Sequence, residues 1–236
     1  MNTYQWLRSI DLEDLPDRSS FGAMWADGVS KKPKIDNPKT KKDYLGFIDL
    51  SRKFPYIVNC LFGNMNFTVY LEIGVAYGGG LRLVKKASDQ AKVYGIDPLN
   101  DPKREKHFIS RHGQGRGGYD GSIFVDDQVN FFRTRSDDPN TMSAVKRELA
   151  GKIDLLVIDG DHTFEGCYFD LLHYASLVSK LGIVWVDDVG SIEDVSNATD
   201  QFLEECKEFV VWDWNGKGKI RSTEGIDGVF LLRKEM

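Results

Sequence analysis

The sequence predicts an α/β fold: a seven-stranded sheet, mostly parallel, with an antiparallel last strand and helices on both faces. Three features predict it. From residue 68 onward, short apolar runs alternate with stretches whose apolar residues recur at helical spacing. The strand-like runs are apolar almost throughout, as strands covered on both faces are. The last two runs have no helix between them, only the polar, glycine-bearing NGKGKIRSTEGID at 215–227, which suits a hairpin-like return.

Taken in order, TVYLEIG at 68–74 is a β-rich run ending in glycine, and LRLVKKAS at 81–88 is helical. KVYGID at 92–97 and VNFFRTR at 129–135 are the next two strands. MSAVKREL at 142–149 sets Met142, Val145 and Leu149 on one helical face, and IDLLVID at 153–159 is the fourth strand. FEGCYFDLLHYASLV at 164–178 carries Phe164, Cys167, Leu171, Leu172, Ala175 and Val178 at helical spacing. GIVWVDD at 182–188 is a strand, and SIEDVSNATDQFLEEC at 191–206 is a helix with Ser191 as its candidate cap. FVVWDW at 209–214 and GVFLLRK at 228–234 complete the sheet. Upstream, residues 1–40 are polar, KKPKIDNPKTKKD reads as an exposed loop, and DYLGFIDLSRKF at 43–54 has helix-like spacing.

A chain of 236 residues suits one such domain. Hydrophobic residues at 41% and charged residues at 28% are those of a globular chain, and the net charge of −5 argues against nucleic acid and anionic membranes as partners. Cys60, Cys167 and Cys206 are isolated, which supports neither a disulfide framework nor a zinc site and suits a reducing compartment. No run has the length of a signal peptide or a membrane span, so a cytoplasmic protein is expected.

In open α/β sheets ligands bind beyond the carboxyl ends of the strands, which directs attention to Gly74, Asp97, Asp159 and Asp187. In LEIGVAYGGG, Gly74 lets the chain turn sharply, and Gly78, Gly79 and Gly80 open the next helix with little bulk. The dinucleotide fingerprint GxGxxG does not fit, because its middle glycine would fall on Ala76. Asp97 ends the second strand 23 residues after Gly74, where a carboxylate accepts ribose hydroxyls; capping the following turn is its alternative role. VYLEIGVAYGGG followed by VYGID resembles the first two motifs of class I S-adenosylmethionine-dependent methyltransferases, a likeness spanning about residues 66–236. The resemblance implies a Rossmann-like core at 66–236, an N-terminal helical cap segment at 1–65, and S-adenosylmethionine as cofactor. It implies that Glu72, Gly74 and Gly78 line the methionine part, that Asp97 holds the ribose, and that Ser136 of RTRSDD stands on the adenine side.

The second feature is acidic. LLVIDGDHTF ends a strand in Asp159, Gly160, Asp161 and His162, and VWVDDV ends the adjacent one in Asp187 and Asp188. Neighbouring strands lie about 4.8 Å apart, so three carboxylates would converge on one spot and repel. A hard divalent cation removes that conflict, and carboxylates without clustered Cys or His favour Mg²⁺, Mn²⁺ or Ca²⁺ over zinc. Helix capping is the competing use of strand-end acids, with Asp161 its clearest candidate. IDGDHTFEG plus VWVDDV resembles the metal-dependent small-molecule O-methyltransferases, notably those acting on macrolide sugars and their cephalosporin-tailoring relatives. That resemblance implies Asp159, Asp187 and Asp188 as Mg²⁺ (or Mn²⁺) ligands, with Asp159 counted among the cofactor-binding residues as well. Many members carry Glu-Asp where this chain has Asp187-Asp188. It also implies His162 as the general base, a role suited to a side chain that titrates near neutrality.

The expected activity is therefore Mg²⁺-dependent O-methylation of a small-molecule hydroxyl on a sugar or other natural product. A nicotinamide oxidoreductase and a non-catalytic cofactor-binding module are the alternatives. The acceptor is the expected partner, and a homo-oligomer is left open. The cationic, glycine-rich DPKREKHFISRHGQGRGGYDG at 101–121 is either a lid or a solvated insertion. His173, opposite Phe164 on its helix, is expected to face solvent.

Overall fold

The structure, a computed structural model, describes residues 58, 61–63, 65–75, 79–98, 129–211 and 228–234. Within them lie seven strands: β1 (Val69–Ile73), β2 (Lys92–Ile96), β3 (Val129–Phe132), β4 (Ile153–Ile158), β5 (Val178–Val186), β6 (Phe209–Val211) and β7 (Val229–Arg233). Four helices accompany them: α1 (Gly79–Ala87), α2 (Pro139–Leu149), α3 (Phe164–Tyr174) and α4 (Glu193–Glu205). The strand order is β3-β2-β1-β4-β5-β7-β6. β1 to β5 run parallel, and β7 lies antiparallel to both β5 and β6. The predicted seven-stranded sheet with its reversed last strand is thus observed.

The sheet separates two apolar layers, as the period-2 alternation of strands requires. Tyr70, Val93, Leu155, Val157, Ile183 and Trp185 face one side with Leu81, Leu83 and Val84 of α1. Leu71, Ile73, Leu156, Ile158, Val184 and Val186 face the other, against Val145 and Leu149 of α2, Cys167, Leu171 and Tyr174 of α3, and Val195, Ala198 and Phe202 of α4. At the amino ends of the strands, Asp154 acts as a clamp. Its Oδ2 accepts from Thr68 N at 2.8 Å and Val69 N at 3.0 Å, and its Oδ1 from the Ser179 hydroxyl at 3.3 Å. Asp154→Ala strands the amides of Thr68 and Val69 at the start of β1 and is expected to cost about 2 kcal/mol. The check is the urea midpoint, which an idle Asp154 would leave unchanged.

Several boundaries differ from the sequence expectation. The helix predicted over 164–178 ends at Tyr174, a 3-10 turn follows at Ala175–Leu177, and β5 starts at Val178 instead of 182. The cause is an irregular register between Ile153 and Leu155, with Leu181 in the left-handed region at φ 64°. β3 ends at Phe132, short of the 135 expected. Ser191 does not cap α4: Ile192 holds the cap position without a side-chain bond, while the Ser191 hydroxyl lies 3.3 Å from Asp188 Oδ1. His173 is only partly exposed, its ring 4.3 Å from that of Phe169. The segments 1–57 and 101–121, Cys60 and Gly78 lie outside the described residues. Among the described residues no helix is long and apolar enough to cross a membrane.

Candidate active site

Backbone hydrogen bonds carry the parallel ladder one residue past each strand. Asp97 N donates to Phe132 O, Gly74 N to Ile96 O, Asp159 N to Ile73 O, and Asp187 N to Ile158 O. Four strand ends are thereby fixed side by side at the carboxyl edge of the sheet. Alternation then sets direction. Glu72, Asp97, Asp159 and Asp187 each stand two residues beyond a side chain of the same layer or, for Asp97, beyond Gly95, which itself follows Val93. The sequence thus brings four acids to one rim on one side.

Glu72 is 3% exposed, and its Oε2 has no hydrogen-bond partner. Burial first, then the charge of Asp159 and less strongly that of Asp97, raises its pKa well above the ordinary range, while the nearby Tyr70 hydroxyl and the Leu81 amide at the start of α1 oppose the shift. The Tyr70 hydroxyl is buried beside it, also unpartnered. A Cβ on Gly80 would stand 2.6 Å from Glu72 Oε2 and 2.6 Å from that hydroxyl, so the first turn of α1 can press onto this pair only as glycine. Gly74, at φ +86°, is as constrained, since a Cβ there would lie 1.8 Å from the Asp159 carbonyl oxygen. These two glycines shape the turn between β1 and the acids.

Asp159, His162 and Asp188 each offer a ligand atom, all within 4.8 Å of one another. His162 Nε2 lies 3.2 Å from Asp159 Oδ1 and 3.6 Å from Asp188 Oδ2. Its pKa is raised, chiefly by the hydrogen bond with Asp159. The His162 side chain is 40% exposed, against 14% for Asp159 and 29% for Asp188, so it forms the solvent-facing rim of the cluster. Asp188 reaches it from a left-handed backbone at φ 58°, a conformation Asp tolerates better than most residues. Asp187, predicted alongside it, stands outside this triangle. It is 3% exposed, and its Oδ1 accepts from Trp185 Nε1 at 3.2 Å. Burial, then Asp159 and Asp188, raises its pKa strongly.

Asp161 does not cap α3 directly. Thr163 does, its hydroxyl accepting from Gly166 N, and Asp161 Oδ1 in turn accepts from the Thr163 amide at 3.1 Å and hydroxyl at 2.9 Å. Ser136 is half-buried after β3, and its carbonyl accepts from the Tyr174 hydroxyl. Sequence reasoning missed Tyr70 and Asp170. The signal for Tyr70 was its place two residues before Glu72. For Asp170 it was an acid in the buried stripe of Cys167, Leu171 and Tyr174.

A family model described as "Methyltransferase domain" matches residues 71–189. A relative from Acanthamoeba polyphaga mimivirus, uncharacterized protein R132, is 28% identical over 130 residues, 50% of each chain. The chain thus spans about half the length of the curated relative it matches. A Staphylococcus aureus structure provisionally assigned as a caffeoyl-CoA O-methyltransferase superposes with a TM-score of 0.58 at 15% identity, covering 95% of this chain and 100% of that one. The MycE methyltransferase of the mycinamycin biosynthetic pathway, in complex with Mg, SAH and mycinamycin VI, gives 0.55 at 14% identity, over 94% of this chain and 56% of that one. At these identities the two structures speak for the fold.

Proposed function

The chain belongs to the methyltransferase-domain family of class I S-adenosylmethionine-dependent enzymes, and from that premise we propose that it methylates a hydroxyl of a small molecule, a sugar or other natural product, with Mg²⁺ or Mn²⁺ as second cofactor. The observation that carries this reading is the acid row around Gly74. Glu72, Asp97 and Asp159 crowd negative charge at the sheet edge, and Glu72 is buried there with only the nearby Tyr70 hydroxyl and the Leu81 amide opposing the cost of its charge. A cationic ligand with N–H and O–H donors relieves both costs, and the adenosyl cofactor has a sulfonium, an ammonium and ribose hydroxyls.

The cofactor supplies a methyl group already activated by its sulfonium, so the protein's part is mainly orientation. Glu72 and Gly74 would hold its methionine end, Asp97 its ribose, and Ser136 its adenine side, with Asp159 and the undescribed Gly78 completing the set. The carboxylates of Asp159 and Asp188 fit a divalent cation, with Asp187 beside Asp188 as the third candidate ligand once the ion offsets the burial that keeps its carboxyl protonated, and His162 stays off the ion. Such an ion supplies Lewis acidity that lowers the acceptor hydroxyl's pKa. His162, at the exposed rim, is the side chain an acceptor from solvent meets first, and it takes the hydroxyl proton. Residues 1–65 would cover the acceptor. A cytoplasmic place, no nucleic-acid or membrane partner, and a homo-oligomer left open belong to the same proposal.

Ligand-induced stabilisation separates this from the oxidoreductase reading. S-adenosylhomocysteine is expected to raise the Tm and NADH to leave it unchanged; the reverse would overturn the proposal. Turnover is read as S-adenosylhomocysteine released with a panel of hydroxylated acceptors, and complete loss in EDTA is expected. With an acceptor in hand, His162→Ala is expected to slow methyl transfer at neutral pH by about 100-fold or more. The wild-type rate falls as acid protonates His162, and the variant loses that limb of the pH profile. An unchanged profile removes His162 as base.

A further inference from the structure

Asp170 is a buried acid that the proposed chemistry leaves unused. It sits mid-way along α3, on the stripe that faces the sheet, and is 1% exposed. Neither carboxyl oxygen has a hydrogen-bond partner. Burial lifts its pKa to about 7, with the Ser136 hydroxyl close enough to oppose the shift. A buried acid without a firm partner destabilises a fold, and an apolar side chain in this stripe would not. Groups of this kind persist where function needs them.

Its surroundings show what it touches. A Cβ on Gly160 would stand 3.4 Å from Asp170 Oδ2 and 3.2 Å from Ile73 Cγ2, so the chain leaving β4 runs directly over the carboxyl group. Ser136, in the chain leaving β3, lies beside it. One turn further along α3, the Tyr174 hydroxyl donates to the Ser136 carbonyl. Asp170 and Tyr174 therefore reach from one helix to two exit loops, those of Ser136 and of Asp159–Gly160. A serine hydroxyl rotates freely, so Ser136 can turn its hydrogen toward Asp170 and leave its lone pairs for a ligand amine.

We propose that Asp170 is a positioning residue for the cofactor, holding the Ser136 and Gly160 loops from beneath at the spacing the nucleoside end requires, at a cost in stability. The proposal rests on the methyltransferase reading. It predicts opposite signs for stability and binding, which a purely structural residue would not give.

The experiment compares wild type, Asp170→Ala and Asp170→Asn by thermal denaturation without ligand and by calorimetric titration with S-adenosylhomocysteine. Asp170→Ala is expected to melt above wild type, since the buried carboxyl is gone, and to bind about tenfold more weakly, because the Ser136 and Gly160 loops lose the group packed beneath them. Asp170→Asn keeps an acceptor and is expected to bind within about threefold of wild type. In Asp170→Ala, further replacement of Ser136 by alanine should add little, because both changes remove one coupled pair. Wild-type affinity in Asp170→Ala overturns the proposal. So does an Asp170→Ala chain that melts lower or fails to fold, since the acid would then be a structural tie. If wild type itself binds no S-adenosylhomocysteine, the methyltransferase reading fails and takes this proposal with it.

Discussion

Removing the charge of Asp188 is expected to abolish divalent-cation binding while leaving S-adenosylhomocysteine binding within about threefold of wild type. Asp188→Asn is the sharper form, because asparagine also accepts the left-handed backbone at φ 58° that Asp188 adopts. Asp188→Ala removes the ligand oxygen as well as the charge but adds backbone strain. Asp188 provides one of three donor groups gathered within 4.8 Å. Loss of a supporting contact around a metal ligand already costs about 10- to 100-fold in affinity, so loss of a ligand should cost at least about 100-fold. Calorimetry with Mn²⁺ measures this directly. Cofactor binding is spared because Glu72 lies on β1 and Gly74 and Asp97 directly follow β1 and β2, whereas Asp188 follows β5. Equal loss of both ligands would mean that Asp188 supports the edge of the sheet instead of a cation.

Gly74→Ala is expected to be the most damaging single methyl in the described residues. The backbone at φ +86° disfavours any Cβ, and a Cβ there would sit 1.8 Å from the Asp159 carbonyl oxygen. That oxygen is main chain and cannot swing aside. Either the exit of β4 shifts and moves Asp159, or β1 loses the bond from Gly74 N to Ile96 O. A loss of about 4 kcal/mol or more is expected, in the range kept for backbone strain and steric conflict combined. Denaturation midpoints test it, and a Tm within a few degrees of wild type would show that the turn is not held as described.

Much of this was legible in the sequence because strand ends are conspicuous. Apolar runs such as IDLLVID and GIVWVD that end in an acid mark the carboxyl edge of the sheet, and Gly74 announced the turn after β1. What stayed hidden were features set by a single dihedral or a single contact. Adjacent acids in a strand point opposite ways, but Asp187 and the left-handed Asp188 lie in the turn after β5, where alternation no longer holds, so Asp188 joins His162 and Asp159. The early start of β5 depends on the left-handed Leu181, which no apolar pattern marks. Between Asp161 and Thr163, both good cap residues, only geometry assigned the cap to Thr163. Asp170, buried in the same stripe as Cys167 and Leu171, was not singled out in the sequence.

The central claim is that a divalent cation and the methyl donor share the carboxyl edge of one sheet. Paramagnetic relaxation measures that proximity directly, using S-adenosylmethionine labelled with ¹³C in its methyl group and bound to the protein. Added Mn²⁺ is predicted to broaden the bound methyl resonance strongly, Mg²⁺ to leave it sharp, and Asp188→Asn to restore sharpness in the presence of Mn²⁺. A methyl signal that stays sharp on the bound cofactor at saturating Mn²⁺ would contradict the account.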